Sequence, residues 1–287
     1  MNEVTENNVW GYFQKPQNKA SLLKKTAAAR NAAGHRVKSY RELATKIAEL
    51  QFMNRDLVLM FRGQNADYRN SRGNTTLKAS LFRSEQGRTM PPSSGVLIRR
   101  FEQLQHAEEQ LVERYADGHF IGRERLQRYR ILRWAILQHY EVCPTPLLDV
   151  THSLRIAASF ATMGAKKDAY LYVLGVPNLA GAITASAEAG LQIIRLSSVC
   201  PPSALRPHFQ EGYLLGEYPE LLNFNDKQLL DHYEVDFGRR LVAKFVFDPR
   251  KLWSDPNFTL ASNVAIYPTP GEDPLLDMTS NIKASLF

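Results

Sequence analysis

Between residues 99 and 140 apolar side chains recur every three or four positions, whereas beyond residue 169 they gather into short continuous runs. That change of period limits the chain to helices packed with strands, an α+β class. The first stretch reads as two helices broken near Gly118. Phe101, Leu104, Leu111 and Tyr115, then Leu126, Tyr129, Leu132 and Ile136, form their core side. Strands are expected at residues 169–174, 191–196, around 213–215, and 241–247. Upstream, Tyr40, Leu43, Ala44 and Ile47 recur at helical spacing behind Ser39 as cap, with Glu42 three residues on. The apolar run 57–61 reads as a buried strand that delivers Arg62 and Gly63 at its end, followed by a polar stretch, 64–76, suited to a functional loop. A small-residue helix (Leu154, Ala157, Ala158, Phe160, Ala161) follows residues 144–151. Residues 84–95, with Gly87, Pro91 and Pro92, read as a loop and not a linker, because the patterns on either side are incomplete alone. One domain over residues 39–287 is therefore expected. A basic, weakly patterned arm (1–38) precedes it, and Pro268, Pro270 and Pro274 mark an irregular tail that packs on the surface.

Composition removes several classes. A chain of 287 residues that is 44% apolar and 23% charged can bury a substantial core, which excludes a disordered tail, a collagen-like rod and a disulfide scaffold. No apolar run approaches the ~20 residues of a membrane span, and the first residues lack a signal pattern, so the cytosol is the expected compartment. Cys143 and Cys200 belong to no metal-ligand spacing. Basic charge is concentrated early: residues 1–143 hold 24 Lys and Arg against 14 Asp and Glu, and residues 144–287 hold 12 against 15. A basic half raises the odds of a polyanionic partner.

Dinucleotide-binding glycine patterns, P-loops, zincin motifs and the serine-hydrolase elbow are all absent. His208 and Glu211 could share one helix turn, but without further ligands no metal is expected. His139, Tyr140 and Glu141 recur as His232, Tyr233 and Glu234. Adjacent residues project in different directions, so the tripeptide is not read as a ligand set.

Three separated stretches nevertheless form a pattern: Phe61, Arg62 and Gly63; residues 137–151, LQHYEVCPTPLLDVT; and residues 206–213, RPHFQEGY. This resembles the FRG-domain family. A typical member reads LQHYG, a short spacer, PT, Arg or Pro, LLDWT, then a helix ending in Phe-Ala, matched here by Phe160 and Ala161. Together the stretches cover most of residues 57–215. Glu141 stands where glycine is usual, which alters the turn after Tyr140, and Val150 stands where tryptophan is usual.

The family's motif layout is similar to that of ADP-ribosyltransferases, and the resemblance therefore implies a mixed, strand-rich ADP-ribosyltransferase-like core flanked by helices, with NAD as co-substrate. Carried over position by position, Arg62 takes the first-strand role, Thr151 with Ser153 nearby the second, and Gln210 or Glu211 the third. Gln210 matches the motif better, while Glu211 suits the chemistry better. Cleaving the nicotinamide–ribose bond builds positive charge on the sugar, and an ionised carboxylate stabilises that charge. Arg62 would grip the pyrophosphate with its planar fork, and Gly63 would admit the dinucleotide close to the backbone. Thr151 would orient the ribose, and Tyr68, Tyr140 or Phe160 would stack on the nicotinamide. Neighbours on a strand face opposite ways, so only one of Gln210 and Glu211 can enter a pocket.

Structural alternatives stand beside these roles. Arg62 could pair with Asp67 or Asp149. Asp149 is preferred as a buried loop anchor that accepts backbone N–H bonds. His139, at a helix C-terminus, could cap and orient as a cation or transfer a proton.

Residues 120–134 interleave Arg123, Arg125, Arg128, Arg130 and Arg133 with Phe120, Tyr129 and Trp134, the pattern of phosphate neutralisation and base stacking on single-stranded nucleic acid. A solvated helix face over a core stripe is the plainer alternative. The expected activity is thus mono-ADP-ribosylation of RNA, more than of DNA or protein, by a toxin-like effector in the manner of antiphage defence. An antitoxin-type protein would be a restraining partner. A non-catalytic nucleic-acid-binding module and an NAD glycohydrolase are the competing classes.

Overall fold

The computed structural model describes residues 1–6, 8–13, 19–85, 90–229 and 235–286. Its contacts divide the chain into two compact units, each assembled from three stretches of sequence. One comprises Met1–Leu77, Val150–Leu179 and Phe237–Asn263; the other comprises Lys78–Asp149, Ala180–Asp236 and Val264–Phe287. Helices and strands are mixed in both, as the change of period requires.

The first unit is organised on the strand Ala169–Val176, whose alternating faces are both apolar, so it sits between partners. Val58–Gln64 pairs with it antiparallel from Val58↔Val176 to Gln64↔Tyr170. On its other edge lies Leu241–Phe247, also antiparallel, which in turn pairs in parallel with the two-residue strand His35–Arg36. Thr151, ending the strand Leu148–Thr151, pairs with Phe61. The helix Leu154–Thr162 packs on one face of Val58–Gln64. Gly63 explains how closely: a Cβ there would lie 1.9 Å from the carbonyl oxygen of Ala157 and 2.6 Å from the nitrogen of Ala161. The helix Tyr40–Met53 starts as expected, with the Ser39 hydroxyl accepting from the Glu42 N–H at 3.2 Å.

Residues 1–38 correct the expected arm. Val9–Gly11 and Ser21–Leu23 pair as a small antiparallel sheet, Thr26–Asn31 is a helix, and Val9, Tyr12, Leu23 and Ala29 are buried in the first unit. Residues 14–18 of that stretch, and the repeat His232, Tyr233 and Glu234, lie outside the described residues.

In the second unit, Ile183–Ser186, Leu191–Arg195 and Gly212–Glu217 form an antiparallel meander. Beside it run Ser94–Asp117, Arg123–Arg128 and Arg130–His139. The expected two helices are thus three, because Tyr129 takes an extended conformation between the last two. Tyr129 is 42% exposed, which corrects its assignment to the core. The proline-marked tail is also corrected. Pro274–Leu286 is a 13-residue helix against Ser94–Asp117, with Leu275 and Ile282 fully buried. Proline at its first position has no N–H to lose there, so it starts the helix instead of breaking it.

Candidate functional site

The expected first-strand residues lie in the first unit. Arg62 stands opposite Tyr172, and Tyr172 opposite Lys244, so the three share one face of the sheet. Thr151 stands opposite Phe61, one position away, and therefore belongs to the other face, where the helix Leu154–Thr162 packs. Arg62 and Thr151 do not line one surface, contrary to expectation. Gly63 faces the helix backbone, so its missing side chain serves strand–helix packing and not dinucleotide approach. The Thr151 hydroxyl accepts from the Ser153 N–H at 3.0 Å, which sets the turn into the helix. Phe160 is half-buried, and Tyr68 is 56% exposed.

The polar stretch 64–76 is held by a closed network. Lys244 Nζ, whose side chain is fully buried, donates to Asp67 Oδ2 and to Thr75 Oγ1, both at 2.8 Å. Asp67 Oδ1 accepts from Thr75 at 2.7 Å and from Tyr172 at 3.1 Å, while Arg69 Nε reaches Oδ2 at 2.8 Å. Burial raises the Asp67 pKa, but the bonds from Lys244 and Thr75 and the charges of Lys244 and Arg69 outweigh it and hold the carboxyl below the usual aspartate range.

The middle and third motif stretches meet in the second unit, where Gln138, Tyr140, Glu141, Arg206 and Gln210 each make a side-chain hydrogen bond. Gln138 Nε2 donates to Asp149 Oδ2 at 2.7 Å, and its Oε1 accepts from Thr145 Oγ1 at 2.6 Å and Ser80 Oγ at 2.9 Å. The expected loop anchor Asp149 thus accepts from a side chain and is half-exposed rather than buried. His139, ending its helix, is buried against Gly212, where an added Cβ would lie 3.2 Å from Cε1. Its Nδ1 is 3.9 Å from Asp149 Oδ1. Burial lowers its pKa more than Asp149 raises it, and the charge of Arg206 lowers it further, which favours the neutral imidazole over a helix-capping cation.

Tyr140 is buried as well, and its hydroxyl donates to Asp273 Oδ2 at 2.9 Å, so its ring is not open to stack on a ligand. Glu141 follows at φ 56°, a left-handed conformation that suits glycine better, with its N–H bonded to the Gln138 carbonyl at 3.0 Å. Its Oε1 accepts from Arg206 Nη2 at 2.6 Å. Arg206 is buried, and its guanidinium lies 5.7 Å from the Tyr140 ring centroid and 4.9 Å from that of Tyr267. Tyr267 is 41% exposed, and partial burial raises its phenol pKa, with the charges of Glu141 and Asp149 raising it further and that of Arg206 lowering it.

Gln210 and Glu211 are not strand neighbours. They form the turn between the helix Leu205–Phe209 and the strand Gly212–Glu217, with Glu211 exposed at φ 45°. Gln210 is buried and donates to the Ile266 carbonyl at 2.8 Å, which tethers the Tyr267 segment.

The arginine-rich helices divide in two. Arg130 Nε donates to both oxygens of the buried Glu108 at 2.8 and 2.9 Å, Arg133 Nη1 approaches it at 3.5 Å, and Trp134 Nε1 donates to Oε1 at 2.6 Å. Arg130 and Arg133 are therefore internal counter-ions, which corrects their reading as phosphate contacts. Arg123, Arg125 and Arg128 are exposed, and Arg128 lies 5.3 Å from the centroid of the exposed Tyr129 ring. Sequence reasoning missed Glu108, although a signal was present: it falls on the same helical stripe as Leu104 and Leu111, where a carboxylate needs a buried partner. It also missed Asp273 and Tyr267, which sit in a proline-rich stretch without period. Among the described residues no cluster of three or more His, Cys, Asp or Glu could hold a metal, and no helix is long and apolar enough to cross a membrane.

Residues 58–169 match the family model of the FRG domain, a stretch that contains the first two motif segments and ends before the third. No curated protein and no solved structure matches the chain.

Proposed function

We propose that the chain is an NAD-dependent mono-ADP-ribosyltransferase, a toxin-like effector whose acceptor is RNA. The observation that carries this reading is the half-open cluster of the second unit, in which the buried Arg206 guanidinium bonds the accessible Glu141 carboxylate and lies against the accessible ring of Tyr267, whose phenol feels the charge of the half-exposed Asp149. These are the groups the reaction requires. The C1′–N bond of NAD breaks, nicotinamide leaves with the electron pair, and positive charge spreads over the ribose, where a carboxylate such as Asp149 stabilises it. An acceptor oxygen or nitrogen then bonds to C1′ and yields its proton to a carboxylate or to water. Tyr267 supplies a stacking face, and Arg206 a fork for phosphate oxygens. His139, Tyr140 and Gln210 support this role as positioning residues, since each is buried and fixes a neighbour of the cluster.

RNA is favoured as acceptor by the exposed Arg123, Arg125, Arg128 and Tyr129, which offer phosphate contacts beside a ring. The test is incubation of the whole chain with adenylate-labelled NAD and RNA, DNA or lysate protein. Label is expected on RNA. Nicotinamide release without transfer would replace the reading with glycohydrolysis. Salt-sensitive RNA binding without NAD cleavage would replace it with a non-catalytic module.

A further inference from the structure

Arg206 is a cation in protein surroundings whose planar side chain is only partly used. Its Nη2 donates to Glu141 Oε1 at 2.6 Å, while its Nε is buried with no hydrogen-bond partner among the described residues. Nε–H and Nη2–H point the same way along one edge of the guanidinium, which is the edge that grips two oxygens of one anion at once. Glu141 therefore occupies a two-toothed site with a single oxygen.

The neighbouring acids do not complete it. Asp273 accepts the Tyr140 hydroxyl, the Arg206 backbone N–H at 2.9 Å and the Leu275 N–H at 3.0 Å, so both its oxygens are engaged by groups other than the guanidinium. Asp149 is bonded to Gln138. Burial disfavours the charged form of His139 as a competing cation.

The Glu141 side chain is 60% exposed, whereas that of Arg206 is 9% exposed. Water screens the carboxylate end of the pair and makes it inexpensive to exchange, while the guanidinium, set between two rings, keeps its affinity for an anion. The rings of Tyr140 and Tyr267 hold it in place meanwhile.

We propose that Arg206 is a phosphate-binding site which the chain keeps closed with its own Glu141 carboxylate, opened when a phosphate-bearing nucleotide displaces Glu141 and stacks its ring on Tyr267. This deepens the reading of the second-unit cluster as the NAD site and rests on it for the identity of the natural ligand. The probes are simpler: inorganic pyrophosphate and AMP, titrated calorimetrically into the whole chain at neutral pH.

Glu141→Gln is expected to bind pyrophosphate about tenfold more tightly than the wild type, because a charged competitor becomes a neutral one. Glu113→Gln, which removes an exposed carboxylate elsewhere on the second unit, is expected to change nothing. Arg206→Lys should weaken both probes at least about tenfold, since a point charge cannot use both oxygens. Inorganic phosphate, titrated in the same way as a ringless control, should bind more weakly than AMP, and Tyr267→Ala should remove that difference. Equal affinities for Glu141→Gln and Glu113→Gln would overturn the proposal even if Arg206→Lys proves too unstable to assay. If the wild type transfers ADP-ribose while Glu141→Gln binds pyrophosphate no more tightly, the gate fails and the enzymatic reading survives. If Glu141→Gln gains affinity but no NAD is cleaved, the gate stands and the enzymatic reading fails.

Discussion

Lys244 with Asp67 in the first unit and Arg206 with Glu141 in the second are both cation–carboxylate pairs set into protein, and they are finished differently. Around Asp67 both oxygens carry several donors and both partners are enclosed, with side-chain exposures of 0% for Lys244 and 8% for Asp67. Around Arg206 one nitrogen of the fork has no partner and the carboxylate stands 60% in water. A saturated buried pair fixes backbone, here the stretch that follows Arg62 and Gly63. An unsaturated pair with one wet end can exchange its anion. The contrast separates a structural use of buried charge from the proposed use in binding, and it follows from hydrogen-bond satisfaction and exposure, not from residue type.

The largest expected effect tests the closed pair. Asp67→Ala strands a buried ammonium and should destabilise the chain by about 3–5 kcal/mol in urea denaturation. A loss below about 1 kcal/mol would show that the network is not what orders residues 64–76. Gly63→Ala should follow at about 2–3 kcal/mol, because the new methyl meets helix backbone that cannot turn aside. Pyrophosphate affinity should be unaffected in the folded variant. A selective loss of affinity would return Gly63 to the ligand.

Acid should reveal the same pair. The folded-state pKa of Asp67 is depressed, so its stabilisation is present above the unfolded pKa and is lost as pH falls through the lower folded value. Urea midpoints should therefore drop at pH below the ordinary aspartate range, and Asp67→Asn should flatten that drop. An unchanged acid profile in Asp67→Asn would assign the loss to other carboxylates. The smallest effect is expected at the open pair, where Glu141→Gln should change stability by less than about 1 kcal/mol, with urea midpoints as the readout. A larger loss would make Glu141 a structural anchor and erase the contrast.

Much of this architecture was legible in the residues. Period change located the strands at 169–176, 191–195, 212–217 and 241–247 to within a few positions, and Ser39 marked its helix start. The first 38 residues were illegible because strands of two or three residues, such as His35–Arg36, carry no period, and tertiary packing alone orders them. Tyr129 misled because it fits a helical stripe while the chain breaks at that residue. Of the candidate site, the two longer motif segments were visible, and their meeting in the second unit agrees with their being read together. What the motif order could not reveal was sheet face. Arg62 and Thr151 are separated by one register step, which puts them on opposite sides. Nor could it reveal Asp273 and Tyr267, which reach the cluster from far along the chain and belong to no shared motif.

The proposal that the second-unit cluster handles NAD is tested most directly by nicotinamide release from NAD by the wild type and by Arg206→Lys, compared at equal folded fraction. The wild type is expected to release nicotinamide, and Arg206→Lys to do so at least about tenfold more slowly. Equal rates, or no release by the wild type with any acceptor supplied, would contradict it.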